Sequence, residues 1–161
     1  DQAGRQGRLH HADAAGHGHE TAEERGPHRD DQQRGQVRRR AEGVIWFDFF
    51  ALCETPRSQN DYLELAEAHH TVILSNVPML GAKDGNVIRR FTLLVDVLYD
   101  HRVKLVMSAA APLTEISRVD DSIKDSDTRR VLTEFARTTS RLTEMQSAEY
   151  MGEAHLPSLM R

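Results

Sequence analysis

The chain has 161 residues, a formal net charge of −4 and a single cysteine. This length suits one modest domain, and the nearly balanced charge excludes the strongly basic surface of a nucleic-acid-binding protein. A lone cysteine excludes an intrachain disulfide and favours a reducing, cytoplasmic setting. No stretch approaches the about 20 consecutive apolar residues of a membrane-spanning helix, so we expect no transmembrane segment.

Residues 1–43 differ in composition from the rest of the chain. Their only large aliphatic residues are Leu9 and Val37, and they contain no aromatic residue. Such a segment buries too little apolar surface to offset the backbone entropy lost on folding, about 1–2 kcal/mol per residue. The composition therefore predicts disorder over 1–43 and one folded α/β region over 44–161. A second interpretation is that residues 1–43 are non-native and come from a GC-rich gene segment translated out of frame.

Histidines are concentrated in the same segment, which holds five of the nine: His10, His11, His17, His19 and His28. Imidazole is a common ligand of zinc, but a stable site needs a scaffold that fixes the ligand geometry. The surrounding sequence offers no such scaffold. We therefore interpret the histidines as a compositional bias and predict no metal site.

Three short apolar runs predict β-strands. They are "VIWFDF" at 44–49, "TVILSNVP" at 71–78 and "VKLVMSAAAP" at 103–112. The first is apolar on both faces, which is typical of a strand covered on both sides, and the second is interpreted as another buried strand. Pro78 is expected to end the second strand because proline lacks the N–H that a strand ladder requires.

Three amphipathic stretches alternate with these strands and predict helices. The first follows a loop and begins near Ser58, which stands three residues before Asp61 as in a capping box. The second covers 86–101 and the third runs from about 127 to 150. Three inner faces are predicted: Tyr62, Leu65, Ala66 and His69 on the first helix, Ile88, Phe91, Val95 and Leu98 on the second, and Leu132, Phe135, Thr139 and Leu142 on the third.

The alternation of strands and helices predicts a parallel, three-layer α/β sheet. Loops at the carboxyl ends of parallel strands form the usual ligand crevice, here after Phe49, Ser75 and Met107. A sheet of three strands with bare edges is small. We therefore expect it to be part of a larger domain.

Several familiar catalytic motifs are absent from the sequence. It contains no G-x-x-x-x-G-K-[ST] loop, no paired acids at a strand end and no G-x-S-x-G elbow. Asp48 and Asp96 are isolated carboxylates, for which a capping or solvent-facing role is favoured over that of a general base. Cys53 lies in an apolar run, and inert packing is favoured over a thiol pair with His69 or His70.

Two arginines four residues apart stand in "RTTSRLTEMQS" on the last predicted helix. Arg137 and Arg141 share a helix face with other charged residues, as on an exposed surface with salt bridges. The small hydroxyl residues around them would also leave a guanidinium group open to a phosphate. Arg89 and Arg90 in "RRF" leave the same two alternatives open.

The sequence resembles, over three stretches in series, the C-terminal part of the ZapE-like ATPases. The stretches are "FDFFALCETPRSQNDYLELAEAHHTVILSNVP", "IRRFTLLVDVLYDHRVKLVMSAAAP" and "FARTTSRLTEMQSAEY". These ATPases are AAA+ P-loop proteins that comprise a bacterial cell-division protein and its mitochondrial relatives. The resemblance covers about Gly43 to Met151 and implies part of a P-loop NTPase-like sheet with a C-terminal helix. Residues 1–42 show no resemblance to the family.

The resemblance implies binding and hydrolysis of ATP with magnesium in a homo-oligomer, and an action in bacterial cell division at the FtsZ ring. In this family the P-loop and the Walker B acids lie upstream of the matched part. The fragment is therefore not expected to bind or hydrolyse ATP alone. A non-catalytic protein-binding module, docking through an uncovered sheet edge or its Arg-bearing helix, is the alternative function.

The resemblance also assigns expected roles to the four arginines. Arg137 and Arg141 fall on the family motif "RT.SRL.EM" and are candidate phosphate sensors, since AAA+ proteins commonly use an arginine on a C-terminal helix in this way. Arg89 and Arg90 match the family's "RRF" and are candidates for contacts to the subunit interface or to phosphate.

Overall fold

The computed structural model describes residues 37–117 and 124–157, which form one four-stranded sheet with helices packed on it. The strands are β1 (Val37–Ala41), β2 (Val44–Asp48), β3 (Thr71–Val77) and β4 (Lys104–Ala109). The helices are α1 (Gln59–Ala68), α2 (Gly85–Asp100), α3 (Ser126–Glu144) and α4 (Ala148–Gly152). A π-helical turn at Phe50–Glu54 and a 3-10 turn at Ala82–Asp84 follow β2 and β3. The predicted α/β class is confirmed.

The sheet has the strand order β1-β2-β3-β4. The three predicted strands β2, β3 and β4 pair in parallel, because a helix crosses over between each pair. None of the described helices is long and apolar enough to cross a membrane.

Strand β1 was not predicted, and it corrects the expected boundary at Gly43. Residues Val37–Ala41 pair antiparallel with β2 through a tight turn at Gly43, whose φ is +68°. A Cβ atom there would lie 2.3 Å from the Cδ2 atom of His70, so any other residue at this position would also have to displace the exposed imidazole. The prediction of disorder is wrong for 37–41, because an edge strand forms through backbone hydrogen bonds and needs little apolar surface. Residues 1–36 lie outside the described residues, and their disorder stays a prediction.

The helices cover one face of the sheet. Ile45, Phe47, Val72 and Leu74 are buried on that face and share one hydrophobic cluster with side chains of all four helices. Trp46, Ile73 and Val106 stand side by side on the opposite face, and none of them belongs to the cluster. Within the described residues the sheet therefore has two layers rather than the predicted three. On that face Val106 is exposed and Trp46 and Ile73 are half-buried.

The helix starts follow their predicted signals. The Ser58 hydroxyl accepts a hydrogen bond from Asp61 N, and the Asp61 carboxylate accepts one from Ser58 N, which completes the capping box at α1. All four predicted inner-face residues of α2 are buried: Ile88, Phe91, Val95 and Leu98.

The last predicted helix is two helices. Helix α3 ends at Glu144, and the Ser147 hydroxyl accepts a hydrogen bond from Tyr150 N to cap α4. Thr138, rather than the predicted Thr139, is buried on the inner face of α3, and its hydroxyl donates to Thr92 Oγ1 at 3.0 Å. A buried threonine needs such a partner, which the helical stripe alone does not reveal.

Candidate functional site

The carboxyl ends of the three parallel strands meet, as the sequence predicts. Asn76 Nδ2 donates a hydrogen bond to Asp48 Oδ2 at 2.6 Å, and Asn76 N donates to Ser108 Oγ at 3.0 Å. Asn76 has a φ of +62°, in the left-handed region that asparagine tolerates. The expected crevice is therefore lined by polar groups that bind one another.

Asp48 caps the end of β2. Its Oδ1 accepts from Phe50 N at 3.1 Å, and its Oδ2 accepts from Arg38 Nη2 at 3.0 Å. Burial raises the pKa of Asp48, but hydrogen bonds from Asn76 and Phe50 and the charge of Arg38 outweigh it, and the pKa lies below its usual 3.8. An ionised carboxylate with these partners is the cap that the sequence favoured, and not a general base.

Arg141 joins α3 to α2. Its guanidinium group forms an ion pair with Asp96 and lies 5.3 Å from the ring centroid of Tyr99. The Tyr99 hydroxyl donates to Glu144 Oε1 at 2.8 Å, which adds a second link between the same helices. Asp96 is thus the partner of Arg141. It caps no strand, and its side chain is partly exposed, in line with the solvent-facing alternative.

Of the two arginines in the "RTTSRL" stretch of α3, Arg137 is the exposed one. Within the described residues it makes no hydrogen bond, ion pair or ring contact. On the same helix, Arg130 Nε and Glu134 Oε1 form the expected surface ion pair at 2.9 Å. Of the two arginines in the "RTTSRL" stretch, Arg137 is therefore the one whose guanidinium group is available to a ligand.

The two arginines of "RRF" also differ. Arg90 Nη1 donates to Cys53 O at 2.9 Å and so ties α2 to the π-helical turn after β2. Arg89 is exposed, and within the described ranges its one hydrogen bond goes to Asn86 Oδ1, one helical turn away, at 3.4 Å. Cys53 is fully buried, and burial raises the pKa of its thiol, which confirms the inert packing role.

The described residues do not fit magnesium and ATP by themselves. In residues 37–117 and 124–157, no group of His, Cys, Asp or Glu side chains is placed to hold a metal ion. The loop after β3 carries Gly81 and Gly85 but no following Lys-Ser/Thr pair to cradle a phosphate. This part of the chain can offer a nucleotide cationic side chains, but no cluster of three or more metal-ligating side chains.

A cluster of aromatic and cationic side chains escaped sequence reasoning. Tyr99 and Tyr150 stack with ring centroids 5.7 Å apart, and Arg102 lies 5.2 Å from the Tyr99 centroid while it forms an ion pair with Glu153. Lys104 Nζ donates to the carbonyl oxygens of Tyr150 and Glu153 at 2.8 and 2.7 Å. These contacts fasten α4 to α2 and β4. No local pattern signals them, because the partners lie far apart in the sequence.

Comparison with known proteins gives a family and several relatives. The AFG1-like ATPase family matches residues 15–154. "Cell division protein ZapE" of Escherichia coli K12 is 44% identical over 108 residues, covering 67% of this chain and 26% of that protein. "Lactation elevated protein 1 homolog B" of Danio rerio is 38% identical over 127 residues, covering 63% of this chain and 25% of that protein. No solved structure matches.

The chain spans about a quarter of the length of these two relatives. The family match begins at residue 15, and the expectation that residues 1–42 lie outside the family is therefore wrong from that residue onward. The strand β1, which also precedes Gly43, agrees with this earlier start. Because the family match covers most of this chain, the chain belongs to the AFG1-like ATPase family.

Proposed function

We propose that this chain is the C-terminal portion of a cytoplasmic, homo-oligomeric ATPase that acts in cell division at the FtsZ ring. Its share in the chemistry is a phosphate-contacting arginine, Arg137, offered to a nucleotide site whose P-loop and magnesium ligands lie on the rest of the protein. The observation that carries the proposal is the contrast on α3, where Arg141 is neutralised by Asp96 and Arg137 is exposed and unpaired among the described residues.

The chemistry of phosphoryl transfer allows the phosphate-contacting groups to come from two parts of one protein. Its catalysis consists mainly of positioning and of neutralising charge on the transferred phosphoryl group. A guanidinium group matches phosphate oxygens with two parallel N–H donors. Arg141 lies one helical turn from Arg137 and fixes α3 against α2 through Asp96. Arg141 is therefore a positioning residue that sets the orientation from which Arg137 reaches the phosphate.

Arg89 and Arg90 take separate roles in this proposal. Arg90 holds the turn after β2 through Cys53 O and supports the fold. Arg89, exposed on α2, is the candidate for a contact with a neighbouring subunit.

ATP turnover by a chimaera tests the proposal. In the chimaera, the described part of this chain, from residue 37 to 157, replaces the corresponding segment of the E. coli relative. Arg137→Ala should lower kcat by about 10²-fold or more, because a phosphate-contacting cation acts mainly in the transition state. The matched control is Arg130→Ala, an exposed arginine on the same helix, which should leave kcat unchanged. Equal effects of the two substitutions would exclude a specific role for Arg137.

A non-catalytic binding module is the second candidate function, and it is favoured by a face and an edge of the sheet that no described element covers. Labelled ATP with magnesium should not bind this chain by itself under either proposal. If it binds at micromolar concentration, the binding-module candidate is excluded, and the nucleotide site lies partly on residues assigned here to the fold.

A further inference from the structure

The face of the sheet that the described helices leave uncovered, here called the open face, carries one apolar row. Trp46, Ile73 and Val106 stand side by side on the neighbouring strands β2, β3 and β4. Val106 is 55% exposed, and the other two are half-buried. Neighbouring strands lie about 4.8 Å apart, so the row is about 10 Å long, which is about the width of one α-helix. A single helix is therefore wide enough to cover it.

The polar groups around this row bind one another. Trp46 Nε1 donates a hydrogen bond to Ser75 Oγ at 3.1 Å, and that hydroxyl donates to Phe47 O at 3.3 Å. At the margin of the row, the guanidinium group of Arg38 pairs with Asp48 and lies 5.8 Å from the centroid of the Trp46 ring. Burying a polar group costs free energy unless it keeps a hydrogen-bond partner. Because these groups are already paired within the sheet, an apolar layer can lie on the open face without leaving them unsatisfied.

Parallel pairing of the strands also favours a covered open face. Sheets of parallel strands occur almost only with both faces covered, usually by their crossover helices. Here both crossover helices, α1 and α2, join the hydrophobic cluster on the other face, as α3 does. The described part of the chain thus supplies no helix for the open face. A covering layer has to come from another segment.

We propose that the open face binds an amphipathic helix from the rest of the ATPase, so that the sheet has three layers in the intact protein. This chain covers 26% of its E. coli relative, and most of that protein therefore lies outside the matched segment. The apolar stripe of the added helix packs on Trp46, Ile73 and Val106. The proposal rests on this chain being a portion of a longer ATPase, as proposed above, but not on the role of Arg137.

The size of the apolar row favours a segment of the same protein over a separate partner or a second copy. A stable interface between separate chains buries about 800 Å² on each partner and involves about 20–30 residues a side. The row offers three apolar side chains. A segment of the same polypeptide needs much less contact area, because its effective concentration is about millimolar and it does not lose the translational freedom of a free partner.

Cysteine labelling at position 106 tests the proposal. This chain alone is compared with the chimaera described above, in which the rest of the protein comes from the E. coli relative. In this chain alone, Val106→Cys and Met151→Cys should react with a maleimide at similar rates, because the native side chains are 55% and 52% exposed. In the chimaera, labelling at 106 should slow by about 10-fold or more, whereas labelling at 151, the matched control, should not change. Mass spectrometry of the labelled peptides separates these two sites from every other cysteine, including the buried Cys53.

Thermal unfolding provides the second measurement. Val106→Lys should lower the melting temperature of the chimaera by about 4 °C or more, because it places an ammonium group against an apolar layer. In this chain alone the same substitution should change it by about 2 °C or less, as is usual for an exposed residue. Met151→Lys should leave both proteins unchanged. Neither measurement depends on ATP turnover, so failure of the role proposed for Arg137 would not alter them.

Three results would overturn the proposal. Slow labelling at residue 106 in this chain alone would show that the chain itself or a second copy covers the open face. Equal rates at residue 106 in the two proteins would show that the rest of the ATPase leaves the face uncovered. Equal slowing at 106 and 151, or equal shifts in melting temperature in the two proteins, would show an effect that is not specific to the open face.

Discussion

Arg141 shows how one side chain can serve the fold and leave its neighbour free for a ligand. Its ion pair with Asp96 is partly exposed, and its guanidinium group also rests on Tyr99. An exposed ion pair contributes about 0–1 kcal/mol, and a cation over an aromatic ring about 0.5–1 kcal/mol. These two contributions act on the same group and hold α3 at a fixed position on α2. Arg137 makes neither contact.

The two arginines should therefore differ in their effect on stability. Arg141→Ala should lower the free energy of unfolding by about 0.5–2 kcal/mol, the sum of the lost ion pair and ring contact. Arg137→Ala should change it by less than about 0.5 kcal/mol, as is usual for an exposed residue without partners. Urea unfolding of the purified chain measures both. A cost for Arg137→Ala as large as that for Arg141→Ala would show that Arg137 is packed and unavailable to phosphate.

Local signals in the sequence located most of the elements. The capping box of Ser58 and Asp61 and the apolar stripe of α2 are properties of a few neighbouring residues, and both predictions are confirmed. The predicted end of the last helix was wrong. The apolar stripe of α3 continues past Glu144, whereas the helix ends there and the cap at Ser147 starts a new helix. The polar strand β1 and the Arg141–Asp96 pair have no local signal. They depend on which elements become neighbours in the folded chain.

The carboxyl ends of the strands are joined by one carboxylate. Asp48 ends β2 and accepts hydrogen bonds from Arg38 on β1, from Asn76 on β3 and from Phe50 N in the following turn. A charged acceptor with several donors contributes more to stability than a neutral one. The sequence indicated a cap at this position, but not that the cap would connect three strands.

Replacement of this carboxylate should give a pH-dependent loss of stability. The pKa of Asp48 is lower in the folded protein than its usual value of 3.8, so its contribution is fully present above that value and is lost as the pH falls through the folded pKa. Asp48→Asn should be less stable than the wild type by about 1 kcal/mol or more at pH 7, and by clearly less near pH 2. Urea unfolding at the two pH values measures this, with Asp100→Asn, an exposed carboxylate at the end of α2, as the control. A pH-independent difference would show that charge is not the source of the effect.

At the scale of the whole molecule, the sheet is covered on one face and open on the other within the described residues. The order of strands and helices was sufficient to predict the α/β class and the parallel pairing. It could not predict the number of layers, because Trp46, Ile73 and Val106 are apolar whether or not anything covers them. Since the chain spans about a quarter of its E. coli relative, an apolar face and an open edge are understandable as surfaces for association.

The limits of the folded unit lead to a prediction about the N-terminal region. Removal of residues 1–36 should leave the melting temperature unchanged, because their composition offers almost no apolar side chains to pack. Removal of residues 1–42 also deletes β1, with the ion pair of Arg38 and Asp48 and the contact of Val37 with the core. A loss of about 1 kcal/mol in the free energy of unfolding lowers the melting temperature by about 4 °C or more in a domain of this size. Thermal unfolding of the two truncated chains should therefore separate them, and the longer deletion should also aggregate more readily because β2 becomes an unprotected edge. Equal melting temperatures would show that β1 adds nothing to the sheet, and a large drop on removing 1–36 alone would show that the polar segment is packed against it.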